Sequence, residues 1–443
     1  MIRRKLAMGC LAALLFLAQA AWAGEAPAGG GPLTLNACLV KGLVENPQIR
    51  AYELGVGEAR EDVRGAWGAF LPTLGASYNK NWLTNDTVAE RNNDYLDQTS
   101  DNTTYSISQP LFTGFGGIAG VKDSKLALES REHELRYMRL RLAREIRRDF
   151  HAVLYGEALV RLWQGSVERL RRQKEIAQAW YDRQLVNRLR LLEVEVELSS
   201  AIQQQQEAAS ALAVARARLA HWLALPSAEA LPTLDGTLDQ EEEAAPFPAT
   251  LEESLTEALA ARPDLKIAEL SIGRAKAQVI QVASRSLPQA SVQASWTDYQ
   301  RDYDNARYTD ELRDYYTVGI QVSIRPFDGG RNIFAWRKQR LTVEKMRQQR
   351  LDTEKTIDTE VRSGYTLWQD SGARLQTATD TLRQAEDAWK LASRALELGV
   401  GSLKEQLDAE LRLTRAEISR LDAQLYRQRA RAELRYALGR AEK

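Results

Sequence analysis

Three features of the sequence have residue types and spacing that could do chemistry. Gly114-Phe115-Gly116-Gly117-Ile118-Ala119 matches G-x-G-x-x-A, the spacing at which a strand-to-helix turn lays backbone N–H groups against a dinucleotide pyrophosphate. His133, His151 and His221 are the imidazoles of the chain, able to ligate a metal or shuttle a proton. Cys10 and Cys38 are its thiols. None of these features assembles into a site. The residues before Gly114 alternate apolar and polar, whereas the strand of a dinucleotide fold is buried on both faces and reads continuously apolar. The repeat of this turn at Phe327 to Arg331 keeps the turn and loses the pattern. The histidines are scattered over stretches of helical period at no ligand or triad spacing. Cys38 alone can form neither a disulfide framework nor a thiolate cage. Nothing resembles a nucleophile elbow or a P-loop. Charge is balanced at 60 basic against 60 acidic residues, which gives no general attraction for nucleic acid. The sequence therefore predicts a protein that is not an enzyme, with no cofactor and no metal.

The elements that hold these residues carry more information. Tyr316, Val318, Ile320, Val322 and Ile324 alternate with Thr317, Gly319, Gln321, Ser323 and Arg325, the period of a strand with one oily face. Pro326 should end it, Asp328-Gly329-Gly330 is turn chemistry, and from Asn332 the apolar residues recur every three or four positions. The same junction occurs upstream at Tyr105 to Gly117, with Pro110 and Pro326 standing 216 residues apart. Asn46-Pro47 and Arg262-Pro263, and Leu71-Pro72 and Leu287-Pro288, share that interval; Leu192 and Leu198 precede Leu407 and Leu413 by 215. The chain reads as a tandem duplication: a first repeat over residues 24–225, a linker over 226–249 and a second repeat over 250–443.

Arg3-Arg4-Lys5, a short apolar run and Ala21-Trp22-Ala23 form a secretory signal peptide over residues 1–23, with the mature chain expected to begin at Gly24. Cys10 lies ahead of the apolar core, where an acylated cysteine cannot be. No later run of 18 apolar residues exists, so a membrane crossing would have to use strands.

In each half a short helix (Leu33 to Val44; Leu251 to Ala261) precedes an amphipathic one (Gln48 to Phe70; Leu265 to Ser286). Two strands follow, joined by a polar loop (Thr84 to Asn102; Asp298 to Asp314). Trp82, Trp296, Tyr299, Tyr315 and Tyr316 gather at the loop ends of the strands and Phe70, Phe112 and Phe327 at the other, while the polar face carries Ser, Thr, Asn and Gln. Strands of about ten residues with an oily outside, a polar inside and aromatic girdles follow the outer-membrane barrel pattern.

Ile357, Val361, Tyr365, Trp368, Leu375, Leu382, Trp389 and Leu396 trace a heptad seam, as do Leu128, Leu135 and Leu142. The segment from Asn332 to Leu398 lacks proline and would reach on the order of 100 Å as a helix. Turns at Gln184 to Arg188 and Gly399 to Ser402 return the chain, giving one long antiparallel hairpin per half. The linker, with Glu241 to Glu243, reads as solvated.

On the duplicated halves, the Asn46-Pro47 and Arg262-Pro263 steps, the Leu-Pro entries to the strands, Pro326-Phe-Asp-Gly-Gly330, and the tip from Leu398-Gly399 to Leu407-Asp408-Ala409, the chain resembles the outer membrane efflux protein family of TolC-like channels. The resemblance implies a mainly α homotrimer in which four strands per chain build one 12-stranded barrel and the hairpins a periplasmic tunnel. It also implies an exit duct in the Gram-negative outer membrane, working with a periplasmic adaptor and an inner-membrane RND or ABC transporter in efflux or type I secretion. The alternative in a different class is a periplasmic coiled-coil adaptor. The same alignment implies adaptor docking at the tips, Leu185, Val186 and Asn187 and Leu398 to Ser402 (Val400 and Gly401 between), and strand-to-helix junctions at Pro110, Gly114, Pro326, Gly329 and Gly330. It sets Glu405 and Asp408 where relatives ring the periplasmic constriction with acid. The first tip has no glycine where the second has Gly399, a departure that bears on how alike the two tips are.

Overall fold

The computed structural model describes residues 32–83, 98–240, 246–303 and 311–440. The expected signal sequence, residues 84–97 and 304–310 of the expected loops, and Glu241 to Glu243 lie outside the described residues.

Elements appear twice in one order. The first set is α1 (Leu35–Glu45), α2 (Pro47–Gly68), β1 (Thr73–Leu83), β2 (Gln98–Phe112), α3 (Gly116–Asp182) and α4 (Arg188–Trp222). The second is α5 (Leu251–Ala261), α6 (Pro263–Ser284), β3 (Gln289–Tyr303), β4 (Glu311–Ser323), α7 (Arg331–Glu397) and α8 (Leu403–Ala437). Corresponding helices match in length: 11, 22, 67 and 35 residues in each half. The duplicated pattern is therefore a duplicated structure.

Local chemistry sets the boundaries. Pro47 and Pro263 stand at the first position of α2 and α6, where a missing N–H costs nothing, so these helices start earlier than the apolar pattern alone implies. Thr250 and Glu253 close the expected capping box on α5.

The four strands form one antiparallel sheet in the order β1-β2-β3-β4. The strands run 11 to 15 residues, longer than expected, and take in ends assigned to the loops: Gln98 to Asn102, Asp298 to Tyr303 and Glu311 to Asp314. Pro110 does not end β2. The ladder passes it through a bulge at Leu111, with Pro110 opposite Ser291 and Phe112 opposite Ala290. The register also revises the alignment of the halves. β1 and β3 keep the 216-residue interval, but the pairings of β2 and β4 require 215, so Phe112 corresponds to Phe327, and the two prolines are one place out of structural register.

Each 67-residue helix is about 100 Å long. The helices lie side by side as α4-α3-α8-α7, the two hairpins meeting along α3 and α8. The α7 seam buries Ile357, Val361, Gly364, Ser371, Ala378 and Leu396 fully, while Trp368, Leu375, Leu382 and Trp389 are half-buried. Small residues at the alternate heptad positions let the helices approach: a Cβ on Gly364 would stand 3.3 Å from the Leu434 Cα.

The linker is not solvated over its first part. Leu33 pairs with the chain at Thr233 and Asp235, and Leu231 and Leu238 are buried beside Leu39, Ile146, Phe150 and Leu219. Asp239 accepts from Arg420 (3.0 Å) and from Gln424 on α8, so the linker ties the first repeat to the second. The acidic run hid this because the apolar contacts come from isolated leucines with no period.

Candidate functional site

The sheet provides the first part of the site. Pairing puts Leu74, Ala76 and Tyr78 on one face with Tyr105 and Ile107, then Val292, Ala294 and Trp296, then Tyr316, Val318 and Ile320. Most of these are exposed, Leu74 at 82% and Val318 at 77%, an apolar surface that water would not leave open on a lone protomer. It ends in a row of rings: Tyr78, Tyr105 stacked on Trp296 at 5.6 Å, and Tyr316 at 6.5 Å from Trp296. Beyond the row the same face turns charged, with Lys80 paired to Asp101 at 3.3 Å and Asp298 opposite Asp314. Tyr299 and Tyr315, assigned from sequence to the girdle, lie on the opposite, polar face with Asn102, Thr104 and Thr297. Tyr78 and Tyr105 take their place; period-2 counting finds both, Tyr78 from Trp82 on β1 and Tyr105 from Ile107 on β2.

The junctions come next. Gly114 and Phe115 have φ of 60° and 69°, Gly329 and Gly330 of 73° and 83°, so two successive left-handed residues redirect each strand into its helix. Thr113 Oγ1 accepts from the Gly117 N–H (3.1 Å) and the Asp328 carboxylate from the Asn332 N–H (3.0 Å), the same cap at the same repeat position. A Cβ on Gly114 would lie 2.7 Å from the Ser284 carbonyl oxygen, so the glycine serves close packing against the end of α6. The dinucleotide-like pattern is this junction, fed by an antiparallel strand.

At the far end of the hairpins, Gln184 takes a φ of 61° where the second tip has Gly399 at 75°. The Leu185 N–H bonds the Trp180 carbonyl (2.8 Å) and Val400 that of Ala395 (3.0 Å), so both turns close in the same way and the missing glycine does not alter the first one. Leu185, Leu398 and Val400 are exposed apolar tips. Asn187 caps α4 and Ser402 caps α8.

Glu405 and Asp408 stand one turn apart at the start of α8, behind buried Leu403 and Leu407. Glu405 is exposed and accepts from the Ser402 N–H at 2.9 Å, while Ser402 Oγ accepts from the Glu405 N–H at 3.2 Å. Hydrogen bonding to the carboxylate by the Ser402 backbone N–H first, and then by the Ser402 side chain, holds that carboxyl below the ordinary carboxylate range. Their first-repeat counterparts are Arg190 and Glu193, which pair with each other at 2.7 Å. The acid at the tips is thus concentrated on α8. Sequence reading missed this capping role, although Ser402-x-x-Glu405 has the capping-box spacing.

The histidines and Cys38 lie apart from one another on the helices. His151 is buried with Nδ1 2.8 Å from the Arg147 carbonyl, His133 is held down by burial and then by Arg136, and His221 is exposed beside Trp222. Burial pushes the Cys38 thiol up to about 11. Among the described residues no group of His, Cys, Asp and Glu is placed to hold a metal ion, and no helix is long and apolar enough to cross a membrane.

The model of the family described as outer membrane efflux protein matches residues 39–225 and again 254–440. No curated protein matches the sequence significantly. Among solved structures, the fold is similar to the CmeC outer membrane channel of Campylobacter jejuni (TM-score 0.80, 14% identity, 91% of this chain and 85% of that one). It is similar also to the outer membrane protein VceC of Vibrio cholerae (0.76, 16%, 91% and 96%) and to the open state of the MtrE outer membrane channel of Neisseria gonorrhoeae (0.76, 20%, 91% and 88%). At these identities the structures speak to the fold, whereas the family model spans most of both repeats, and on that match the chain belongs to the outer membrane efflux protein family.

Proposed function

We propose that the mature chain is one third of a homotrimeric channel-tunnel in the Gram-negative outer membrane, a passive exit duct for cargo delivered by an inner-membrane RND or ABC transporter through a periplasmic adaptor. The observation that carries this reading is the sheet: four strands with an exposed apolar face bounded by aromatic rings, open at β1 and at β4, and continuous with the hairpins at one end. Four strands cannot close a barrel. Two chains give eight, filled by their own side chains, and three give twelve, which leaves a pore. A periplasmic adaptor would share the hairpins but would have no use for a lipid-facing sheet.

Within this duct residues 24–225 and 250–443 act as half-units, the tips meet the adaptor, and Glu405 and Asp408 of three copies form two acidic rings at the periplasmic mouth. Expression of the full precursor tests the reading. The expected result is a protein in the outer-membrane fraction that migrates as a trimer until heated and loses residues 1–23. A water-soluble periplasmic monomer would overturn it.

A further inference from the structure

Among the described elements the two repeats of one chain pack extensively at β2 with β3, α3 with α6 and α3 with α8, and only slightly at α4 with α8. Shifting each by the repeat interval gives β4 with β1, α7 with α2 and α7 with α4, and none of these packs substantially within the chain. Resting on the trimeric reading above, we infer that the second set forms between neighbouring copies, and that the α2–α7 contact is a charge-reversed counterpart of α6–α3, with Lys338 of one copy held by Glu58 and Asp62 of the next.

The internal contact shows what the external one requires. On α3, Asp123 accepts from Arg274 Nε (3.1 Å) and Gln278 Nε2 (3.4 Å) of α6. One turn on, Leu126 lies over Gly273, where an added Cβ would come within 3.1 Å of its Cδ1. The counterpart of Asp123 is Lys338, and those of Arg274 and Gln278 are Glu58 and Asp62, so the charged pair is inverted and its neutral neighbour becomes acidic. Lys338, Glu58 and Asp62 are exposed, with no ion pair within the chain among the described residues.

The apolar contact is kept while the charges change. Leu341, counterpart of Leu126, is 71% exposed, and Gly57, counterpart of Gly273, has nothing within 4 Å of an added Cβ. Leu54 is 59% exposed where its equivalent Leu270 is 6% exposed. Volumes also compensate: α7 has Phe334 and Trp336 where α3 has Ala119 and Val121, and α2 has Gly65 and Gly68 where α6 has Gln281 and Ser284. Both glycines are open in the single chain.

Inversion does not extend to every pair, since Arg169 and Glu410 become Gln384 and Glu195 along the α4–α7 seam. At α2–α7 it has a use. The α6 face carrying Arg274 would repel Lys338, and the α2 face carrying Glu58 would repel Asp123, so the internal and external helix pairs cannot be exchanged as the chains assemble.

Disulfide trapping in the full-length chain tests this. Asp123→Cys with Arg274→Cys is the internal control and should close within one chain. Glu58→Cys with Lys338→Cys should give covalent dimers and trimers on a non-reducing denaturing gel. In parallel, Lys338→Glu should speed trimer dissociation at low salt roughly tenfold, and adding Glu58→Lys and Asp62→Lys should restore it. If native mass shows a wild-type trimer and the control closes, but no intermolecular ladder forms and Lys338→Glu dissociates at the wild-type rate, the pairing is wrong and the trimer stands. A wild-type monomer overturns both.

Discussion

The carboxylate of Glu405 closes the capping box that starts α8, and in the proposed channel its charge would also join a ring at the tunnel mouth, two roles that an alanine substitution cannot separate. Glutamine keeps an acceptor for the Ser402 N–H and removes the charge, so Glu405→Gln isolates the electrostatic role. The cap itself depends on pH. Because the folded carboxyl titrates below its ordinary 4.5, the charged form is favoured by folding, and its contribution is present above pH 4.5 and lost as pH falls through the depressed value. Amides of the first turn of α8, Leu403 to Gln406, should therefore lose protection against deuterium exchange, relative to their intrinsic rates, on acidification in that range. Their counterparts at Arg188 to Leu191, capped by Asn187, should change less. Equal response at both tips would contradict the capping account.

At the scale of elements, the periodic parts of the chain were legible and the joints were less so. Long helices, the four strands and the repeat follow from spacing, because burial on one face imposes a period. Proline and glycine were less reliable markers. Pro110 reads as a strand end, yet a bulge at Leu111 carries β2 past it; Gln184, Ala224 and Phe115 occupy left-handed positions that the second repeat gives to Gly399, Gly439 and Gly330. Tertiary packing supplies what the local residue does not. The linker shows the same limit, since Leu231 and Leu238 are buried by partners brought from α1, α3 and α4. The proposed aperture and docking residues rest on family resemblance alone, because the roles proposed for them arise between chains. One joint carries a large electrostatic load. Buried Arg262 bonds Asp264 (2.7 Å) and Glu360, and lies over the Tyr436 ring at 5.2 Å, with Arg144 also over that ring at 4.3 Å. It fastens the α5–α6 corner to α7 and α8. Arg262→Ala should cost about 1.5–3 kcal/mol by removing the charge-assisted bonds of a buried guanidinium to two part-exposed carboxylates. Lysine should not restore it, lacking the planar fork. Thermal melting of the detergent-solubilised protein checks both, and a wild-type melting temperature for either variant would contradict the clamp.

For the whole molecule, the duplication explains why a single chain exposes so much apolar and sign-matched surface. Each contact between the repeats is made once internally and left open once, at β1 and β4 in the sheet and at α2, α4 and α7 in the helices. In the proposed trimer a closed ring of copies would fill every contact that the single chain leaves open. Ion conduction by the purified protein in a planar lipid bilayer tests the proposed channel most directly. Inserted wild-type protein should give discrete conductance steps with a cation-selective reversal potential under a salt gradient, and Glu405→Gln with Asp408→Asn should move that potential toward zero without loss of the steps. Folded trimers that enter the bilayer and pass no current would contradict the channel; an unchanged reversal potential in the double variant would remove Glu405 and Asp408 from its mouth.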